Sequence, residues 1–189
     1  MLCGSAGSSE KIDGLRQALD VARHLSNSMR YEDFTTNFKS QSNNLPRERQ
    51  LSLAIAICKK LFFDYQNFSE QNNWGDPDLL LDAIKLAEQS LSQKVDSKEI
   101  MTLLPKINEA TPDTEDFDNA SYALNACGSV YETLEFIVDD NPEHIYNIGT
   151  YLIDTIDFKL QEDDDLSQDE IDMHPLMLET REYLIRSTR

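Results

Sequence analysis

Four carboxylates crowd one short segment: Asp113, Glu115, Asp116 and Asp118 within TPDTEDFD. Oxygen donors of this kind suit hard cations such as magnesium or calcium. The same residues stand directly before an apolar-periodic stretch, where carboxylates complement the free N–H groups and dipole of a helix start. Capping needs only the observed order of residues, so it is the simpler use, and no metal is assigned to the group. Asp113, Asp116 and Asp118 are kept as a candidate ligand or cation site together with Trp74. This tryptophan is the only one in the chain and precedes Gly75-Asp76. Such a ring either faces a ligand or plugs a helix junction, and the plug is the commoner use.

A second acidic run is Asp163-Asp164-Asp165, with Asp169 just beyond. Asp163-x-Asp165-x-Ser167 begins like a calcium loop. Gln168 then occupies the position that needs glycine, and His174 the twelfth position, where a bidentate Glu belongs. A calcium loop is therefore rejected, and Asp163, Asp164, Asp165 and Asp169 are read as candidate partner contacts. The three histidines, His24, His144 and His174, are scattered, and none has a second histidine or a cysteine at ligand spacing, so a zinc site is not expected. No glycine-rich phosphate loop, nucleophile elbow or HExxH motif occurs. No catalytic residue and no cofactor are assigned. Cys3, Cys58 and Cys127 share no short spacing; the latter two fall in apolar-periodic segments, where a free thiol behaves as a small hydrophobe.

Charge narrows the partners. The formal net charge is −18, and residues 95–189 carry 23 acidic and 6 basic residues against 12 and 11 in residues 1–94. So negative a second half repels phosphate, which argues against nucleic acid and anionic membranes as partners. Solubility is the plainest use of acidic surface, and engagement of a basic protein is the specific one. The odd cysteine count with no secretory signal, and no apolar run near the ~20 residues of a membrane helix, place the chain in the cytoplasm. The oligomeric state is left open.

The elements that must position these groups are helical. Six glycines and six prolines leave little material for an all-β fold. Tyr31, Phe34 and Phe38 mark one face of a first helix, and Pro46 can open the next. Leu51, Ala54, Ile55, Cys58, Leu61, Phe62, Tyr65 and Phe68 then recur at steps of three and four. Asp76-Pro77 restarts the pattern as N-cap and first helical residue, with Leu80, Ala83, Ile84, Ala87 and Leu91 behind it. Asp96 or Ser97 caps a short fourth helix through Leu103, Leu104 and Ile107. Leu124, Cys127, Tyr131, Leu134 and Val138 form the next stripe, and Asn141-Pro142-Glu143 repeats the cap-plus-proline device before Ile145, Ile148, Leu152 and Ile156. Ser167 with Glu170 matches a capping box, and Pro175 bends or interrupts the last helix. The expectation is all-α: one domain of about seven helices in an antiparallel bundle-like array.

Two stretches resemble a known family. They are RQLSLAIAICKKLFFDYQNFSEQNNWGDPDLLLDAIKLA (Arg49–Ala87) and INEATPDTEDFDNASYALNACGSVYETLEF (Ile107–Phe136). The first resembles a pattern in which a helix ends in an aromatic segment and then Trp/Phe-Gly-Asp. The second resembles a Pro-Asp-x-x-Asp-Phe-Asp loop feeding a helix with Ala-x-x-Ala-Cys, here Ala123 to Cys127. The family is the YjaG-like bacterial family, domain of unknown function 416. It often has Asp where this chain has Asn125 and Pro where it has Phe63. The resemblance implies an all-helical cytoplasmic protein over residues 29–189 and supplies no catalytic residues.

The first 28 residues resemble neither the family nor a signal peptide. Met1–Ser9 reads as a flexible tail, and Ile12, Leu15, Leu19, Ala22 and Leu25 as an amphipathic helix. Because Met29 stands just before the resemblance, residues 1–28 are expected to be a mis-called start or an appended leader. Two functions are carried forward. The preferred one is a non-enzymatic interaction protein engaging a basic partner, an immunity or antitoxin role being one concrete form. The alternative is a small-molecule or metal-assisted enzyme with a helical pocket near Asp116 and Asp118.

Overall fold

The computed structural model describes residues 30–117, 119–163 and 166–189, with the backbone alone at Asp163. The expectations for residues 1–28, and those for Asp118, Asp164, Asp165 and the Asp163 side chain, lie outside the described residues. Eight helices occur among the described residues: α1 (Tyr31–Asn43), α2 (Arg47–Asn72), α3 (Pro77–Gln89), α4 (Ser97–Ala110), α5 (Ala120–Asp139), α6 (Glu143–Asp163), α7 (Gln168–Asp172) and α8 (Pro175–Ser187). The eighth arises because Pro175 sits at a helix start, with His174 Nδ1 accepting from the Leu176 N–H at 3.3 Å, and so divides the last segment in two. Asp76 accepts from the Leu79 N–H at 3.1 Å, Asp96 from the Lys98 N–H at 3.0 Å, and Ser167 with Glu170 forms the capping box. Each cap satisfies donors that a helix start leaves without a partner.

The register of the central helices follows from their cross-contacts. Arg47 donates to Ile137 O, Cys58 Sγ meets Thr133 Oγ1 at 3.1 Å, and Asn72 donates to Asn119 Oδ1 at 3.2 Å. Numbers that rise along α2 as they fall along α5 define an antiparallel pair. The same holds for α5 and α6, where Asn125 donates to Thr155 and Asn147 to Glu132. These three helices form the centre; α3 and α4 flank α5, while α1 and α8 cover α6. The core runs through Leu51, Ala54, Leu61 and Phe68 of α2 and through Ala123, Ala126, Val130 and Leu134 of α5. Cys58 and Cys127 are buried there as free thiols, pushed up to about 11 and about 12 by desolvation. Neither supplies a thiolate at neutral pH. Among the described residues no helix is long and apolar enough to cross a membrane.

Gly75 pins the junction between α2 and α3. Its φ is +75°, and a Cβ there would lie 2.1 Å from the Tyr65 hydroxyl. That hydroxyl donates to Ala110 O at 3.1 Å and accepts from the Asp76 N–H at 3.1 Å, tying three segments together. Gly75→Ala must therefore adopt a strained left-handed backbone and displace Tyr65. The expected loss is at least about 1–2 kcal/mol in urea melts. A variant as stable as the parent would show that the Tyr65 bridge contributes nothing.

Candidate functional site

Glu132, Glu135 and Asp139 occupy positions i, i+3 and i+7 of α5 and therefore share one face. α5 ends at Asp140, whose φ of 57° is left-handed, and the chain turns back within three residues. Asp139 Oδ1 accepts from the Asn141 N–H at 2.9 Å, and Asn141 Oδ1 accepts from the Glu143 N–H at 3.1 Å. This turn sets the first two turns of α6 over the acidic face. His144 Nδ1 meets Glu132 Oε2 directly, and Nε2 lies 3.2 Å from Asp139 Oδ2. Asn147 Nδ2 donates to both Glu132 oxygens, at 3.3 and 3.2 Å. Glu135 Oε2 stands 3.9 Å from His144 Nδ1.

The electrostatics follow from that geometry. Burial lowers the His144 pKa, but the bonds to Glu132 and Asp139 outweigh it and hold the imidazole above its ordinary value. Burial raises Asp139, yet the Asn141 N–H and His144 bring its carboxyl below the usual range. The side chains of His144 and Glu132 are only 12% and 17% exposed, so the cluster is partly walled off from solvent. Two further acidic groups nearby are paired: Arg47 with Asp140, and Lys39 with Glu143.

Beside this cluster α4 and α5 enclose a groove of about 420 Å³. α4 supplies Met101, Leu104, Pro105 and Asn108 at helical spacing, and α5 supplies Tyr131, Glu135, Val138 and Asp139. Met101 is 58% exposed and Val138 42%, both large apolar side chains left to solvent. Pro105 lies inside α4, where it supplies no backbone N–H, and borders the groove. Glu135 and Asp139 belong to both the groove and the histidine cluster.

The residues singled out in the sequence lie elsewhere. Trp74 is partly exposed and packs on Phe117 with ring centroids 5.4 Å apart, and Phe117 in turn meets Phe68 edge-on at 5.3 Å. Asp113 accepts from the Glu115 N–H at 2.9 Å, and the Asp116 N–H bonds to Asp113 O at 3.2 Å, so this acidic segment builds a turn. Asp113 and Asp116 are exposed, as is Asp169 at the start of α7. Sequence spacing missed the Glu132–Glu135–His144 group because its histidine belongs to the next helix. The available signal was three carboxylates on one helix face with a histidine one tight turn beyond.

A separate cavity of about 560 Å³ lies between α1, α6 and α8, bordered by Tyr31, Asp154, Asp157, Asp172 and Arg181. Burial and the neighbouring Asp157 raise the Asp154 pKa. A carboxyl raised on folding binds its proton more tightly in the folded state. It therefore opposes folding above that pKa and is relieved as the pH falls through it. Asp154→Asn is expected to raise neutral-pH stability and to flatten its change across the acid limb of a pH series. A loss of stability at pH 7 would contradict this.

The sequence pattern of the family described as Protein of unknown function (DUF416) matches residues 37–186. The chain belongs to the DUF416 family. A solved crystal structure, of a DUF416 family protein from Shewanella baltica OS155, is similar to it with a TM-score of 0.70 and 26% identity. The match covers 80% of this chain and 82% of that one. No curated protein matches. For this DUF416 chain the matched span contains α2 to α7 whole, and with them both the groove and the histidine cluster.

Proposed function

We propose that this DUF416 protein is a non-enzymatic binding protein that engages a basic partner through the α4–α5 groove. One observation carries the reading: exposed Met101 and Val138 flank an apolar groove whose rim is Glu135 and Asp139. An apolar floor with a one-signed rim suits a segment that presents Lys or Arg beside one or two aliphatic or aromatic side chains. Methionine adapts its shape to such a segment. Covering a cationic active site, as an immunity protein or antitoxin does, is one form this binding takes. A reaction site near Asp116 finds less support, because Asp113 and Asp116 are exposed and engaged in their own turn.

Photo-cross-linking in the protein's own cell tests the reading. A benzophenone amino acid at Met101 or Val138 should give one discrete adduct with a basic protein. The same group at Phe63, which is 66% exposed on α2, should not. Glu135→Gln with Asp139→Asn should remove the groove adduct. An adduct at Phe63 alone, or one indifferent to the two carboxylates, would refute the groove as the docking site.

A further inference from the structure

We propose that Glu132, Glu135 and His144 form a binding site for a first-row divalent transition cation such as zinc. The donors come from two helices held in fixed antiparallel register, and their ligand atoms all lie within 4.8 Å of one another. Around a tetrahedral zinc with bonds of about 2.0–2.2 Å, donors stand about 3.3 Å apart. Glu135 Oε2 at 3.9 Å from His144 Nδ1 stands wider than that and Glu132 Oε2 closer, so seating an ion requires both glutamate side chains to adjust. An imidazole among carboxylates selects zinc and its neighbours over magnesium or calcium, which prefer all-oxygen donors.

The surroundings separate this group from an ordinary patch of acidic residues. Asp139 Oδ2 faces His144 Nε2 at 3.2 Å and orients the ring, so that Nδ1, which now meets Glu132, becomes a lone-pair donor once a cation displaces the proton between them. Asn147 holds both oxygens of Glu132 from the other side. A carboxylate behind the histidine and an amide behind the ligand carboxylate are the supports that orient metal ligands. A proton on Nδ1 serves the His144–Glu132 contact alone. Glu135, at 3.9 Å, is beyond hydrogen-bond reach of that nitrogen but within reach of an ion seated between them. Glu132, His144 and Asn147 do not border the groove, whereas Glu135 borders both, so the metal proposal is separated from partner docking by its readout rather than by its residues.

Titration of the chelator-stripped full chain with Co²⁺ and then Zn²⁺, under reducing conditions, tests it. One saturable equivalent of Co²⁺ should appear with visible d–d bands and without the near-ultraviolet band of thiolate ligation, and Zn²⁺ should displace it. Glu135→Gln should weaken binding about tenfold or more, and Asn147→Ala about ten- to a hundredfold. His174→Asn, remote from the group, should leave it unchanged. Glu135→Gln is the decisive variant because it keeps the His144–Glu132 and His144–Asp139 contacts that fasten α6 to α5. No saturable equivalent, binding that survives Glu135→Gln, or a thiolate band would each overturn the proposal. Asn147→Ala separates the two readings: Asn147 does not border the groove, so it should weaken the metal and leave partner capture at Met101 unchanged.

Discussion

Leu134→Ala should lower the unfolding free energy by about 2–5 kcal/mol. Leu134 is fully buried on α5, the helix that packs against α2 on one side and α6 on another. Truncation removes the transfer free energy of its lost methyl and methylene groups. It also opens a cavity between helices whose register is already set by the Cys58–Thr133 and Asn125–Thr155 contacts, so collapse into the space is limited. Urea melts read the effect as a lower midpoint at unchanged slope. A loss under about 0.5 kcal/mol, the size of an ordinary surface change, would mean that Leu134 faces away from the core.

Asp172→Ala is expected to cost about 3 kcal/mol, the lower end for breaking a buried ion pair, because Asp172 keeps some solvent contact. The Arg181 side chain is 1% exposed, and its Nη2 donates to Asp172 Oδ1 at 2.7 Å. Its guanidinium also lies over the rings of Tyr31 and Phe34, at 5.7 and 5.9 Å. Without the carboxylate the buried guanidinium loses its 2.7 Å ion pair to Asp172, the contact that ties α7 to α8. Asp172→Leu combined with Arg181→Met should recover part of the loss, since an apolar pair of similar volume needs no charge compensation. A single variant as stable as the parent would show that the pair is dispensable.

What could be read from the sequence was local chemistry. Asp76, Asp96 and the Ser167–Glu170 pair were legible as caps because a cap needs only neighbours along the chain. The apolar stripes were legible for a similar reason: a helix face is set by spacing, and Leu51, Leu61, Leu80 and Leu134 are all buried as that spacing implies. The fourth helix, read through Leu104 and Ile107, runs across Pro105 as that spacing implies. The acidic Asp113–Asp116 segment looked like a helix cap but lies one turn too early, for α5 starts only at Ala120. The candidate site was least visible. It depends on a left-handed turn at Asp140 and on which residues of α6 fall opposite Glu132, and both are products of packing.

Selective methyl labelling of methionine gives the most direct test of the docking claim. The chain has five methionines, and two of those in the described region are well exposed: Met101 at the groove, and Met173 between α7 and α8. Their methyl resonances report two surfaces in one spectrum. Adding the basic protein captured at Met101 should shift or broaden the Met101 methyl signal and leave Met173 unchanged. A response at Met173 with none at Met101 would contradict the assignment of the α4–α5 groove as the binding face.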